Sequence, residues 1–116
     1  MPTFYVQYVN IELGTAHVES VVADDESDAM DRFIEKCDAI GREIFVNTAV
    51  SETEKLPPER LVKFVGKNMT EFEAEFGPKG PSRGSGLSIY TYDIDGQTFW
   101  VGTAGGRTIY YVRQKP

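Results

Sequence analysis

The chain has 116 residues, 41% of them hydrophobic and 26% charged, with a net charge of −6 at neutral pH. That length suits one domain able to bury a core without disulfide or metal, and the composition excludes long disorder. A single cysteine, Cys37, excludes an intrachain disulfide and a cysteine-cluster metal site, while the acidic total argues against direct nucleic-acid binding, which needs a basic face.

The first residues, "MPTFYVQYVN", lack the basic and then apolar regions of a signal peptide, and no apolar run approaches the length of a membrane span. A cytoplasmic location away from membranes is therefore expected. "TFYVQYV" (3–9) alternates Phe4, Val6 and Tyr8 against Tyr5, Gln7 and Val9, and "HVESVVA" (17–23) is rich in β-branched residues. Two strands are predicted, joined by a hairpin connection around Gly14.

An acidic cluster, "DDESD", leads into "AMDRFIEKCDAIG", where Met30, Phe33, Ile34, Cys37 and Ile40 recur at helical spacing and Gly41 suits the position just past the helix end. Asp24, Asp25, Glu26 and Asp28 lack the alternating ligands and central glycine of a calcium loop, so they are expected to serve the helix dipole. Cys37 falls on the apolar side and reads as a buried, inert thiol.

"EIFVNTAV" (43–50) predicts a third strand and "SETEKL" (51–56) a polar connection. "PPERLVKFVG" (57–66) predicts a short helix with prolines in its first turn, burying Leu61, Phe64 and Val65. "MTEFEAEFG" (69–77) predicts a second short helix, with Thr70 and Glu73 at capping-box spacing, Met69 and Ala74 placed as a staple, Phe72 and Phe76 stacked one turn apart, and Gly77–Pro78 as the stop.

"GPKGPSRGSG" (77–86) invites a phosphate-loop reading, but it follows a helix end and runs into a strand, whereas an anion-binding loop opens a helix. A connector is expected, with Lys79 and Arg83 placed to touch a partner at the edge. "LSIYTYDI", "QTFWVGTA" and "RTIYYVRQ" then form three strands, separated by Asp95–Gly96 and Gly105–Gly106 as two-residue turns. The expected fold class is α+β: a ββαβ half, two short helices and a three-stranded antiparallel meander. It is read as one domain over 1–116, with a seam between 1–55 and 56–116.

Two-residue turns fix the register. They place Tyr92 opposite Phe99, Tyr90 opposite Val101, Val101 opposite Tyr110 and Phe99 opposite Val112. One face then carries Tyr90, Tyr92, Ile94, Phe99, Val101, Tyr110 and Val112 and is the expected core side. The other carries Ile89, Thr91, Trp100, Gly102, Ile109 and Tyr111, with Thr98, Arg107 and Arg113 at its edges. Antiparallel sheets commonly keep one side polar, so this second apolar face is either covered by the first half or presented to a partner.

Residues 60–113, "LVKFVGKNMTEFEAEFGPKGP…LSIYTYDIDGQTFWVGTAGGRTIYYVRQ", resemble the SmpA/OmlA-type module of bacterial outer-membrane assembly lipoproteins, which also occurs doubled in β-lactamase inhibitor proteins. The shared features are a short helix ending "VGK", a helix closing on Gly-Pro, a glycine-rich gap, a "YTY" strand and two further strands. The resemblance implies a binding platform rather than an enzyme. The first 55 residues have no counterpart in it, and no lipid-attachment cysteine stands near the start.

Catalytic chemistry finds little support. The only histidine, His17, lies in a predicted strand and reads as a surface residue; with one His and one Cys, a nitrogen/sulfur zinc site is excluded. No carboxylate pair is marked by its context, no cofactor is implied, and a small enzyme of unknown type ranks last.

Two functional expectations follow. The first is a non-enzymatic adaptor or inhibitor that binds another protein through Trp100, Tyr111, Ile89 and Ile109, bordered by Arg107 and Arg113. The second rests on charge: residues 1–55 hold twelve acids and four bases, a net −8, against +2 for residues 56–116. There Asp24, Asp25, Glu26, Asp28, Asp31 and Glu35 would mimic phosphates in an acidic inhibitor of a nucleic-acid-handling complex, such as an anti-defence protein. The partner's identity and any homo-oligomer are left open.

Overall fold

The computed structural model describes residues 2–51, 58–82 and 87–115, so residues 52–56 of the "SETEKL" connection and residues 83–86 of the glycine-rich stretch, Arg83 included, fall outside the described residues, while Ser51 belongs to the third strand. The elements are β1 (Thr3–Asn10), β2 (Thr15–Val22), α1 (Glu26–Ala39), β3 (Ile44–Ser51), α2 (Pro58–Val62), α3 (Met69–Phe76), β4 (Leu87–Ile94), β5 (Gln97–Ala104) and β6 (Thr108–Gln114). The fold is α+β in the order ββαβ–ααβββ. Its strands form two three-stranded antiparallel sheets, β2-β1-β3 and β4-β5-β6.

In the first sheet the period-two alternation sends Phe4, Val6 and Tyr8 under α1, where they meet Ala29, Phe33, Cys37 and Ala49. Tyr8 and Phe33 stack with centroids 4.6 Å apart. Asp25 is the N-cap of α1, its Oδ1 accepting from the Asp28 N–H at 2.7 Å. Burial pushes the Cys37 thiol pKa up, as expected of an inert buried cysteine. Ile34 and Ile40, placed on the same apolar stripe by their spacing, are instead exposed. The sheet is only wide enough to cover the middle of the stripe, at Ala29, Phe33 and Cys37.

The second sheet is covered by α2 and α3. Leu61, Phe64, Met69 and Phe72 pack on Tyr90, Tyr92, Ile94, Phe99, Val101 and Val112, and Phe76 closes the edge. Phe72 lies 4.6 Å from Phe76 and 4.9 Å from Tyr92, centroid to centroid. The capping box of α3 belongs to Asn68 and Glu71, not to Thr70 and Glu73. Asn68 Oδ1 accepts from the Thr70 N–H at 3.0 Å, while Glu71 Oε2 accepts from the Asn68 N–H. Met69 is thereby the first helical residue and fully buried, whereas Val65, expected to be buried, is half-buried, and Val62 is buried instead, outside the cluster that packs on this sheet.

The β4–β5 pairing is as predicted, with Asp95 and Gly96 both at positive φ in a two-residue turn. The β5–β6 pairing is not. Ala104 faces Thr108, so Arg107 joins Gly105 and Gly106 in a three-residue turn, and a bulge follows at Tyr110. The extra turn residue rotates Ile109 onto the core face, where it is fully buried. The bulge rotates the chain back, so that Val112 stays in the core and Tyr111 and Arg113 share the Trp100 face. Tyr110 consequently drops out of the expected core face and is half-buried. Competition from the segment before α3 explains the shift. Ile109 N–H donates to Lys67 O at 2.9 Å, Gly66 N–H to Ile109 O at 2.8 Å and Met69 N–H to Arg107 O at 2.6 Å.

The two sheets meet where β6 crosses the side of the first sheet opposite α1. Gln7, fully buried, supplies the junction: its Nε2 donates to Val112 O at 2.8 Å and its Oε1 accepts from Val112 N–H at 2.6 Å. A side-chain amide here replaces a neighbouring strand and satisfies both backbone groups of an edge residue. Gly66 adds to the junction. At φ 86°, it lies so close to β2 that a Cβ would stand 2.7 Å from the carbonyl oxygen of Ala16.

Candidate functional site

Two sequence features set up an uncovered surface at one end of the first sheet. The β1–β2 connection is a four-residue turn, in which Asn10 Oδ1 accepts from Leu13 N–H at 3.1 Å and Asn10 O from Gly14 N–H at 2.8 Å. That turn carries Ile11 and Leu13 outward. At the same end α1 stops at Ile40 and Gly41, whose φ of 72° lets the chain reverse into β3. β3 then begins beside β1, with Phe45 paired to Val9 and Ile44 to Asn10.

The result is a concentration of apolar exposure. Leu13 is 70% exposed, Phe45 62%, Ile40 61%, Ile11 54% and Ile34 39%; the remaining exposed large hydrophobic among the described residues is Val22. Ile11, Ile34 and Phe45 line one hollow of about 650 Å³, floored by Ile44 and Val46 and rimmed by Asp38, Arg42 and Glu43. Glu43 O accepts from Ile11 N–H at 3.1 Å, which extends the β1–β3 pairing into the hairpin turn. Asp38 and Asp31 stand one helical turn on either side of Ile34. Small monomeric domains seldom gather apolar side chains in one exposed place without a use for them.

No family model, curated protein or solved structure matches this chain. The surface is therefore interpreted from its own geometry.

The Trp100 face is more enclosed than the sequence suggests. Ile89, Trp100, Tyr111 and Arg113 are half-buried, Thr91 is exposed and Gly102 is buried. The Tyr111 ring lies directly over Gly102, filling the space a Cβ would take, and burial pushes its pKa up against the lowering field of Arg113. The Trp100 indole N–H is enclosed, with no acceptor among the described residues. Ile109, predicted on this face, belongs to the core. Arg107 is exposed at the β5–β6 turn, away from Trp100 in the ladder.

The acidic residues divide between structure and surface. Asp25 caps α1, and Asp28 Oδ2 accepts from Asp24 N–H at 3.0 Å and from Arg32 Nε at 2.9 Å. The bond from Asp24, and then Arg32, hold the Asp28 carboxyl below its ordinary pKa despite some desolvation. Glu26 accepts from Thr48 at 3.4 Å. Asp24, Asp31 and Glu35 are exposed. Lys79 rests over the Tyr90 ring at 5.2 Å and within 3.8 Å of Glu73, while residues 77–82 form no helix start that could hold an anion. Among the described residues, no three His, Cys, Asp or Glu side chains gather as a metal would require, and no helix is long and apolar enough to cross a membrane.

Helical spacing sets Ile34 and Ile40 among the apolar positions of α1 without marking them as exposed, and the sequence reading assigns no role to Ile11, Leu13 or Phe45. A usable signal was present: Ile11 and Leu13 sit inside a turn, where the chain has nothing to pack against.

Proposed function

We propose that this chain is a non-enzymatic binding module, an adaptor or inhibitor, which docks onto another protein through the apolar end of its first sheet. One observation carries the reading: among the described residues, five of the six exposed large hydrophobics lie in the hairpin turn, on α1 and its C-cap, and at the start of β3, and three of them, Ile11, Ile34 and Phe45, line one hollow. Burying side chains of this size supplies about 1.5–3 kcal/mol each, enough for two or three anchors to dominate an interface.

Affinity purification from the native host tests it with three baits: the parent chain, Ile11→Ser/Phe45→Ser, and Trp100→Ala/Tyr111→Ala. A partner held by the first and third baits but lost from the second is the expected result. Loss from the third alone moves the site to the second sheet. Retention by all three removes both surfaces. Because Ile11 and Phe45 are exposed, their double replacement should leave thermal stability nearly unchanged, within about 0.5 kcal/mol per site.

A further inference from the structure

The charges around the hollow identify the chemistry of its partner. Asp38 and Glu43 line the hollow together with one cation, Arg42, and three further exposed carboxylates stand near its lining residues in the chain: Glu12 next to Ile11, Asp31 one turn before Ile34, and Glu35 next to Ile34. None of the five enters an ion pair among the described residues. Among the described bases of this half, two are held in ion pairs. Arg32 pairs with Asp28 at 2.9 Å and Lys36 with Glu19 at 3.1 Å, while Arg42 stands on the rim of the hollow itself, its field partly opposing the burial that raises the pKa of Tyr8 and Cys37.

We infer that the occupant of this surface is a basic amphipathic segment of a partner protein, its apolar side chains seated on Ile11, Ile34 and Phe45 and its lysines or arginines facing the carboxylate rim. This rests on the proposed binding role and adds the partner's charge and pattern. Two physical features argue for it together. The hollow is apolar at its centre, which selects large apolar anchors, and at its rim Asp38 and Glu43 outnumber Arg42, an acidic balance that steers and registers a cationic segment and disfavours an anionic one. A second copy of this chain would bring the same carboxylates face to face across a two-fold contact, at an unfavourable cost.

The test uses the whole chain and two labelled 18-residue peptides of helical period, one of Leu and Lys, the other of Leu and Glu, read by fluorescence anisotropy. The Leu/Lys peptide should bind and the Leu/Glu peptide should not. Ile11→Ser/Phe45→Ser should weaken binding about thirtyfold, as expected when two anchors are lost. Asp38→Asn/Glu43→Gln should weaken it a few-fold and flatten its salt dependence. Equal binding of both peptides overturns the inference, and so does Leu/Lys binding that ignores Ile11→Ser/Phe45→Ser. Self-association that is abolished by the same double variant also overturns it, because a second copy then covers the surface. Binding of neither peptide defeats the basic-segment inference alone; the binding surface is judged separately by the three-bait capture.

Discussion

The two sheets solve the same problem to different degrees. The second carries helices α2 and α3 on one face, and among its described residues no large hydrophobic is exposed; its aromatic side chains interlock from Phe64 through Phe72 to Tyr92. The first has one helix across its middle and β6 across its other side, yet every exposed large hydrophobic among the described residues belongs to it. Each sheet presents a similar apolar alternation, but a single helix of 14 residues cannot shield the hairpin turn or the start of β3. In the proposed binding role, the half that is finished internally is the scaffold and the half left apolar at one end the contact surface.

Removing the largest buried ring from each half gives the greatest expected effect. Phe33→Ala and Phe72→Ala should each cost about 3–5 kcal/mol, and in denaturant both should shift one shared transition. Two separate transitions would show the halves to be independent units, joined but not cooperative.

The join itself is tested at Gln7. Gln7→Leu keeps the volume but strands the N–H and C=O of Val112 in a buried place, at about 1–3 kcal/mol for each orphaned group. A loss below about 1 kcal/mol would mean that packing, not this amide, holds β6 against the first sheet.

Next comes the cap of α3. Asn68→Ala should cost about 1 kcal/mol, whereas Thr70→Ala should stay within about 0.5 kcal/mol; the reverse order would restore the cap to Thr70.

The smallest effect is alkaline. Desolvation, then Glu73 and Tyr90, push the Tyr92 pKa from 10.0 up to about 12. The folded chain thus holds this proton more tightly than the unfolded chain. Its contribution is complete below pH 10 and is lost as the pH rises from 10 towards 12. Tyr92→Phe also removes the hydrogen bond to Gly77 O, so the variant should be slightly less stable at pH 8 but lose stability less steeply above pH 10. Some slope should remain, since burial raises the pKa of Tyr8 and Tyr111 as well.

Sequence alone determined the order of elements, the fold class, the Asp95–Gly96 hairpin and its register, and the burial of Phe33, Cys37, Phe72 and Val101. These follow from local causes: strand alternation, helical spacing, and glycine at positive φ. Tertiary structure decided the rest. The turn at Gly105 took a third residue because the backbone of Gly66 and Lys67 claims Ile109, a pairing that spans some forty residues and leaves no local trace. Gln7 reads as an ordinary polar residue in an alternating strand until β6 arrives with an unpaired edge. The candidate surface was hidden for the same reason. Whether an isoleucine at helical spacing is core or contact depends on how far the neighbouring sheet extends, and at Ile34 and Ile40 that extent is set by packing, not by the helix that carries them.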